Sequence, residues 1–158
     1  GLILPQYSVL TEVVLVELQE IYRGHLQESQ GVVLTVVSRE AGSGTRVAFE
    51  HLVLDGDETS LNAVVVPSAA AMVDYVAETP TAIGYVSARS LDDRVRVLPV
   101  DGMLPDGEGV ADGGYPVSRV LHIASRGEPI GEARQFAQWL LRARAETWSS
   151  AEGILDLP

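Results

Sequence analysis

The chain has no cysteine among its 158 residues, which excludes disulfides, thiolate nucleophiles and cysteine-based zinc sites. It has no lysine either: all 11 basic residues are arginine. A phosphate-binding loop of the Walker type needs a lysine, so that class is excluded as well. No apolar stretch approaches the roughly 18 residues of a membrane helix, and the N-terminus lacks a basic start followed by an apolar run and a small-residue cleavage site. Internal repeats and low-complexity segments are absent too. The formal charge of −11 has no basic stripe to offset it, which argues against nucleic acid and anionic lipid as partners. A small anion is not excluded, because surface charge is screened beyond roughly 8 to 10 Å whereas desolvated donors act at contact.

What is there is the composition of a soluble globular protein, in a length suited to one domain with a single core. Leu2-Ile3-Leu4 ahead of Pro5 predicts a short extended segment. Thr11 is a candidate N-cap for a helix from Glu12 to Arg23, with Val14, Leu15, Leu18, Ile21 and Tyr22 on one stripe and Gly24 as its stop. Val32 to Val37 reads as a strand covered on both faces. A helix follows from Thr45 to Val53, then a strand at Ala63 to Val66, and then a helix over Ala69 to Ala77 begun by Pro67-Ser68. Ala82 to Val86 and Val95 to Val100 predict two more strands, Asp101 to Gly114 a surface loop, and Val117 to Ala124 a last strand. Glu132 to Arg144 predicts a long helix burying Phe136, Trp139, Leu140 and Ala143. Strands alternating with helices give an α/β fold, a layered and largely parallel sheet with flanking helices.

The most chemically specific stretch is Arg39-Glu40-Ala41-Gly42-Ser43-Gly44-Thr45-Arg46, set between a predicted strand and a predicted helix. A strand that ends in such a turn and feeds a helix aims several backbone N–H groups at one spot, which attracts anions. The same serine and threonine also suit an N-cap with nothing bound, and Arg39 also suits an ion pair with Glu40 or another carboxylate. Arg46, one residue into the helix, is expected to face solvent, Ser68 to act as a cap, and Tyr85 to pack in the core with its hydroxyl tied to backbone. A nucleophile elbow needs Gly-x-Ser-x-Gly, but residue 41 is Ala and residue 45 is Thr. His25, His51 and His122 lie on separate elements and form no metal pattern, so Ser43 has no base in evidence. A dinucleotide fingerprint fails because Val47 stands where its third glycine belongs. Asp55-Gly56-Asp57-Glu58 and Asp92-Asp93 lack the alternating ligands of a calcium loop and read as solvated turns. An enzyme is not expected, nor is a metal or cofactor.

Five stretches, in order along the chain, resemble the phosphate-binding receptors of ABC transporters, within the type II periplasmic binding protein fold. They are Glu17 to Gly24, Val37 to Arg46, Pro67 to Val73, Ala82 to Ser87, and Tyr115 to Leu121; the Arg39 to Thr45 block is the most specific. The resemblance implies an extracytoplasmic clamshell receptor that holds an oxyanion, phosphate first, between two lobes and delivers it to a membrane permease. By position it implies Arg39, Ser43, Gly44 and Thr45 as ligands; a guanidinium fork suits a tetrahedral oxyanion. Members of the family usually carry an acid two positions after the arginine, where this chain has Ala41. The loss of that acceptor is expected to weaken discrimination between protonated phosphate and sulfate. Residues 1–158 are expected to form a single such domain without the family's first lobe, leaving about half of the anion's ligands to another source. The competing expectation is a receptor-like sensing or interaction module without a transport role, self-associating as a homodimer through the face an absent lobe would cover.

Overall fold

The computed structural model describes residues 1–105, 115–118 and 124–147, with side chains up to residue 140. Its centre is a five-stranded sheet of β1 (Leu2–Pro5), β4 (Thr35–Arg39), β5 (Val64–Val66), β6 (Ala82–Tyr85) and β7 (Val95–Leu98), in the order β5-β4-β6-β1-β7. β4 runs parallel to β5 and to β6, whereas β1 is antiparallel to both of its neighbours, β6 and β7. Four strands therefore point one way and β1 is inserted against them. The layered, largely parallel sheet expected from the sequence is observed, with Leu2-Ile3-Leu4 gaining two partners that its own residues do not announce.

Helices cover both faces. α1 (Leu15–Arg23) and α2 (Gly44–Val53) lie on one side, where Leu18, Ile21, Tyr22, Phe49 and Val53 pack with Leu2, Leu4, Ile83 and Tyr85. α3 (Ala69–Glu78) covers the other, bringing Met72, Val73 and Val76 onto Ile3, Val37, Val66 and Ala82. The alternation of Leu2 and Leu4 with Ile3 divides β1 between the two cores, so all four of its residues are buried. Gly84 of β6 faces α3: a Cβ there would lie 2.6 Å from Met72 Sδ and 2.9 Å from Val76 Cγ2. Absence of a side chain at residue 84 is what lets α3 approach the sheet.

Three local expectations are corrected. α1 starts at Leu15 rather than Glu12, because Val13 bridges Val100 and donates to the Pro99 carbonyl, which holds residue 13 extended. Its cap is the Asp101 carboxylate, accepting from the Leu15 amide at 3.0 Å, instead of Thr11, and Val14 is exposed. Gly24 ends the helix as expected, at φ 81°. Second, Val32 to Val37 is broken at Leu34. Val32–Val33 is β3, paired with β2 (Glu28–Ser29) in a separate hairpin. Gln30 and Gly31 both have positive φ at its two-residue turn. Third, the last described helix, α4 (Gly131–Thr147), exposes Phe136, Trp139 and Leu140. Its apolar stripe belongs to neither core, although the Phe136 and Trp139 rings stack on each other at 5.9 Å. Helical spacing predicts a stripe, but burial needs a surface to meet it. Residues 119–123 of the strand predicted at Val117 to Ala124 lie outside the described residues, while Val117, Ser118 and Ala124 are described and not in a strand; most of the Asp101 to Gly114 loop and the Ala143 side chain also lie outside.

Candidate functional site

β4 delivers Ser38 and Arg39 to its C-terminal end, and the chain then turns. The Ser43 amide donates to the Glu40 carbonyl at 3.2 Å, Gly42 adopts φ 88°, and the Val47 amide opens α2 by donating to the Ser43 carbonyl. The strand, turn and helix order expected from the sequence is thus present. Arg39, Ser43, Gly44 and Thr45 sit together at the junction of β4 with the N-terminus of α2.

Both internal partners considered for these residues are made. The Ser43 Oγ, almost fully buried, accepts from the Arg46 amide at 3.3 Å and so serves as the N-cap of α2. Arg39 donates through Nε and Nη2 to the two carboxylate oxygens of Glu40 at 2.7 and 2.9 Å. That pair holds the Arg39 guanidinium above, and the Glu40 carboxyl below, their ordinary pKa values, in each case chiefly through the hydrogen bonds between them. A guanidinium has five donors, and Glu40 takes two of them on one edge. Gly44 is exposed and Thr45 half-buried at the first turn of the helix.

The backbone of Arg39 is fixed by side chains that sequence reasoning did not assign to the site. Its N–H donates to the Tyr85 hydroxyl at 3.3 Å, and that hydroxyl also shares a 2.9 Å hydrogen bond with Ser38 Oγ. Its carbonyl accepts from Arg46 Nη1 at 3.2 Å. Arg46 therefore does not face solvent as expected: it turns back onto β4, because Glu50 one helical turn on accepts its Nε at 2.8 Å. Glu50 in turn accepts the Thr59 amide at 3.0 Å. Burial raises the Glu50 carboxyl, but the Thr59 and Arg46 hydrogen bonds outweigh it and the pKa is lowered. The i,i+4 spacing of Arg46 and Glu50 was the available signal for this brace. Tyr85 is core, as expected, its ring stacked on Phe49 of α2 at 4.1 Å and 5°.

Other candidate residues lie elsewhere. Ser68 caps α3 by accepting the Ala71 amide. His25 pairs with Glu20 at the end of α1, on an element that does not carry Ser43. Asp57 pairs with Arg23, and Asp92 with Arg94. A hollow of about 100 Å³ opens beside Ser38, Arg46 and Thr59, with none of Arg39, Ser43 or Thr45 in its lining. The candidate ligand residues instead line the junction of β4 with α2. Chemically, the junction carries two hydroxyls and one guanidinium, donors suited to an oxyanion, at the first turn of α2.

Residues 10–144 match the family model described as the PBP superfamily domain. Among curated relatives, the chain is 34% identical to the phosphate-binding protein PstS of Bacillus subtilis (strain 168) over 130 residues, which is 78% of this chain and 43% of the relative. It is 32% identical to phosphate-binding protein PstS 2 of Streptococcus agalactiae over 139 residues, 82% of this chain and 47% of the relative. The chain thus spans a little under half the length of these relatives. In structure it is similar to a putative phosphate ABC transporter substrate-binding protein with bound phosphate from Clostridium perfringens. The TM-score is 0.75 at 29% identity, over 89% of this chain and 61% of that one.

Proposed function

The chain belongs to the PBP superfamily, and from that premise we propose that it forms one wall of an extracytoplasmic receptor for phosphate serving an ABC permease. Arg39, Ser43, Gly44 and Thr45 are the ligands this wall contributes. One observation carries the reading: a guanidinium at the end of β4 and the N-terminus of α2 are joined by a turn of four residues, with the arginine's peptide groups held by Tyr85 and Arg46. Donors anchored before the ligand arrives lose little freedom on binding. The relatives named above are phosphate-binding proteins, and the Clostridium perfringens structure contains phosphate.

The Glu40 pair does not oppose this reading. An anion can approach the edge of the Arg39 guanidinium that Glu40 leaves, and a carboxylate beside that edge is an acceptor for the hydrogen of a protonated phosphate oxygen. Glu40 thereby supplies an acceptor next to the position where Ala41 withholds one. Residues 1–158 are read as a single lobe, and the second wall of the cleft comes from outside this sheet. No covalent step is involved; the relatives are binding proteins of transport systems rather than enzymes. No helix among the described residues is long and apolar enough to cross a membrane.

Isothermal titration with phosphate, arsenate and sulfate tests the reading. Phosphate and arsenate are expected to give saturable heat that Arg39→Ala abolishes. Absence of heat from the unaltered protein at millimolar phosphate would overturn it.

A further inference from the structure

The groups that fix Arg39 reach it from two other elements, and none of them is in the ligand set. On the amide side stands the Tyr85 hydroxyl, from β6; on the carbonyl side stands Arg46, from α2. These are the two backbone groups flanking the Arg39 Cα, so between them they set the direction in which its side chain leaves the strand. Neither jaw has slack. The Tyr85 ring lies flat on Phe49, Phe49 is 4.5 Å from Tyr22, and the Tyr22 hydroxyl donates to the Ile83 carbonyl two residues before Tyr85. Arg46 is held by Glu50, which is held by the Thr59 amide. The Tyr85 hydroxyl also engages Ser38 Oγ, so its orientation is fixed by two partners on β4.

We infer that Tyr85 and Arg46 are positioning residues for oxyanion recognition, a two-jawed clamp on the Arg39 peptide groups that aims the guanidinium at the anion. The inference rests on the proposed receptor reading for its ligand, while the clamp itself is a property of β4, β6 and α2. Its physical basis is that a charge-assisted bidentate contact needs both angle and distance, so a guanidinium aimed in advance binds more tightly than one that must be ordered.

Tyr85→Phe keeps the ring stack and removes the hydroxyl, and Arg46→Lys keeps the charge while losing the guanidinium that spans Glu50 and the Arg39 carbonyl. With inorganic phosphate as titrant, at a temperature where circular dichroism shows each protein folded, both variants are expected to bind about 3- to 10-fold more weakly, the worth of one hydrogen bond. A residue that only stabilised the fold would lower the melting temperature without moving that affinity. Hydrogen exchange of the Arg39 amide, followed by NMR, is expected to be slow in the unaltered protein and at least about tenfold faster in Tyr85→Phe. Unchanged phosphate affinity in both variants overturns the inference. If the unaltered protein gives no phosphate heat, the receptor reading is what fails. The clamp then stands or falls on the Arg39 amide, and equal exchange with and without the Tyr85 hydroxyl refutes it. Should Tyr85→Phe fail to fold, Arg46→Lys carries the affinity test alone, since it leaves the core untouched.

Discussion

In the proposed receptor Ser43 combines two roles in one hydroxyl, and two substitutions pull them apart. Its Oγ accepts the Arg46 amide, while its proton remains a donor that an anion can take. Ser43→Ala removes both functions. Loss of a serine N-cap costs about 0.5–2 kcal/mol, and a 3.3 Å contact is long for a hydrogen bond, which puts this cap near ~1 kcal/mol. For a chain of this length that is a fall of about 2–4 °C in Tm. Ser43→Asp keeps the cap, because aspartate caps as well as serine and its charge suits a helix N-terminus. Its Tm is therefore expected to match or exceed that of the unaltered protein. It also puts a negative charge where the oxyanion must come within about 4 Å. Ser43 is only 7% exposed, so the effective dielectric is nearer 20 than 80 and the repulsion is about 4 kcal/mol per unit of anion charge, roughly a thousandfold in affinity. Thermal melts followed by circular dichroism read the first quantity and phosphate calorimetry the second. An aspartate variant that melts normally and titrates with phosphate like the parent would refute the placement of the anion at this turn.

Two further outcomes follow from packing and from charge. Gly84→Ala forces a Cβ against Met72 and Val76 in the α3 core, and urea denaturation is expected to show a loss of about 1–3 kcal/mol; an unchanged midpoint would mean that α3 is free to retreat. Glu50 has a pKa lowered from its ordinary 4.5, so between the folded and unfolded values the unfolded chain binds more protons and stability rises with pH. Its contribution is complete above about pH 4.5 and is lost as pH falls through the lower folded value. Glu50→Gln should therefore cost roughly 1–3 kcal/mol at pH 7 and progressively less as pH falls below about 4.5; a penalty that does not shrink on acidification would contradict the Arg46–Glu50–Thr59 brace.

The parts of the fold legible in the sequence are those whose cause is local. Gly24 ends α1, Ser68 starts α3, and the Ser43 turn joins β4 to α2, since glycine conformation and hydroxyl capping act over four residues or fewer. What was hidden depends on distant partners. Thr11 had the chemistry of a cap, yet Asp101, across 86 residues, took that place. Phe136, Trp139 and Leu140 had the spacing of a buried stripe, but spacing does not supply an opposing surface. The site divides in the same way. Arg39, Ser43, Gly44 and Thr45 stand out in one continuous motif, whereas the Tyr85 hydroxyl reaches Arg39 across 46 positions with no pattern to signal it. Glu40 was foreseen as a partner of Arg39 only because the two are adjacent.

The reversed strand β1 has a consequence for how the molecule assembles. β7 touches the rest of the sheet through β1 alone, so the edge of the sheet cannot dock until residues 2–5 have threaded between two strands that lie some eighty to ninety positions later. Such a contact closes one of the longest loops available to the chain, and loop closure of that kind is slow. The parallel β5-β4-β6 segment that carries Arg39 closes shorter loops, from Val37 to Val64 and from Thr35 to Ala82, and does not depend on that contact.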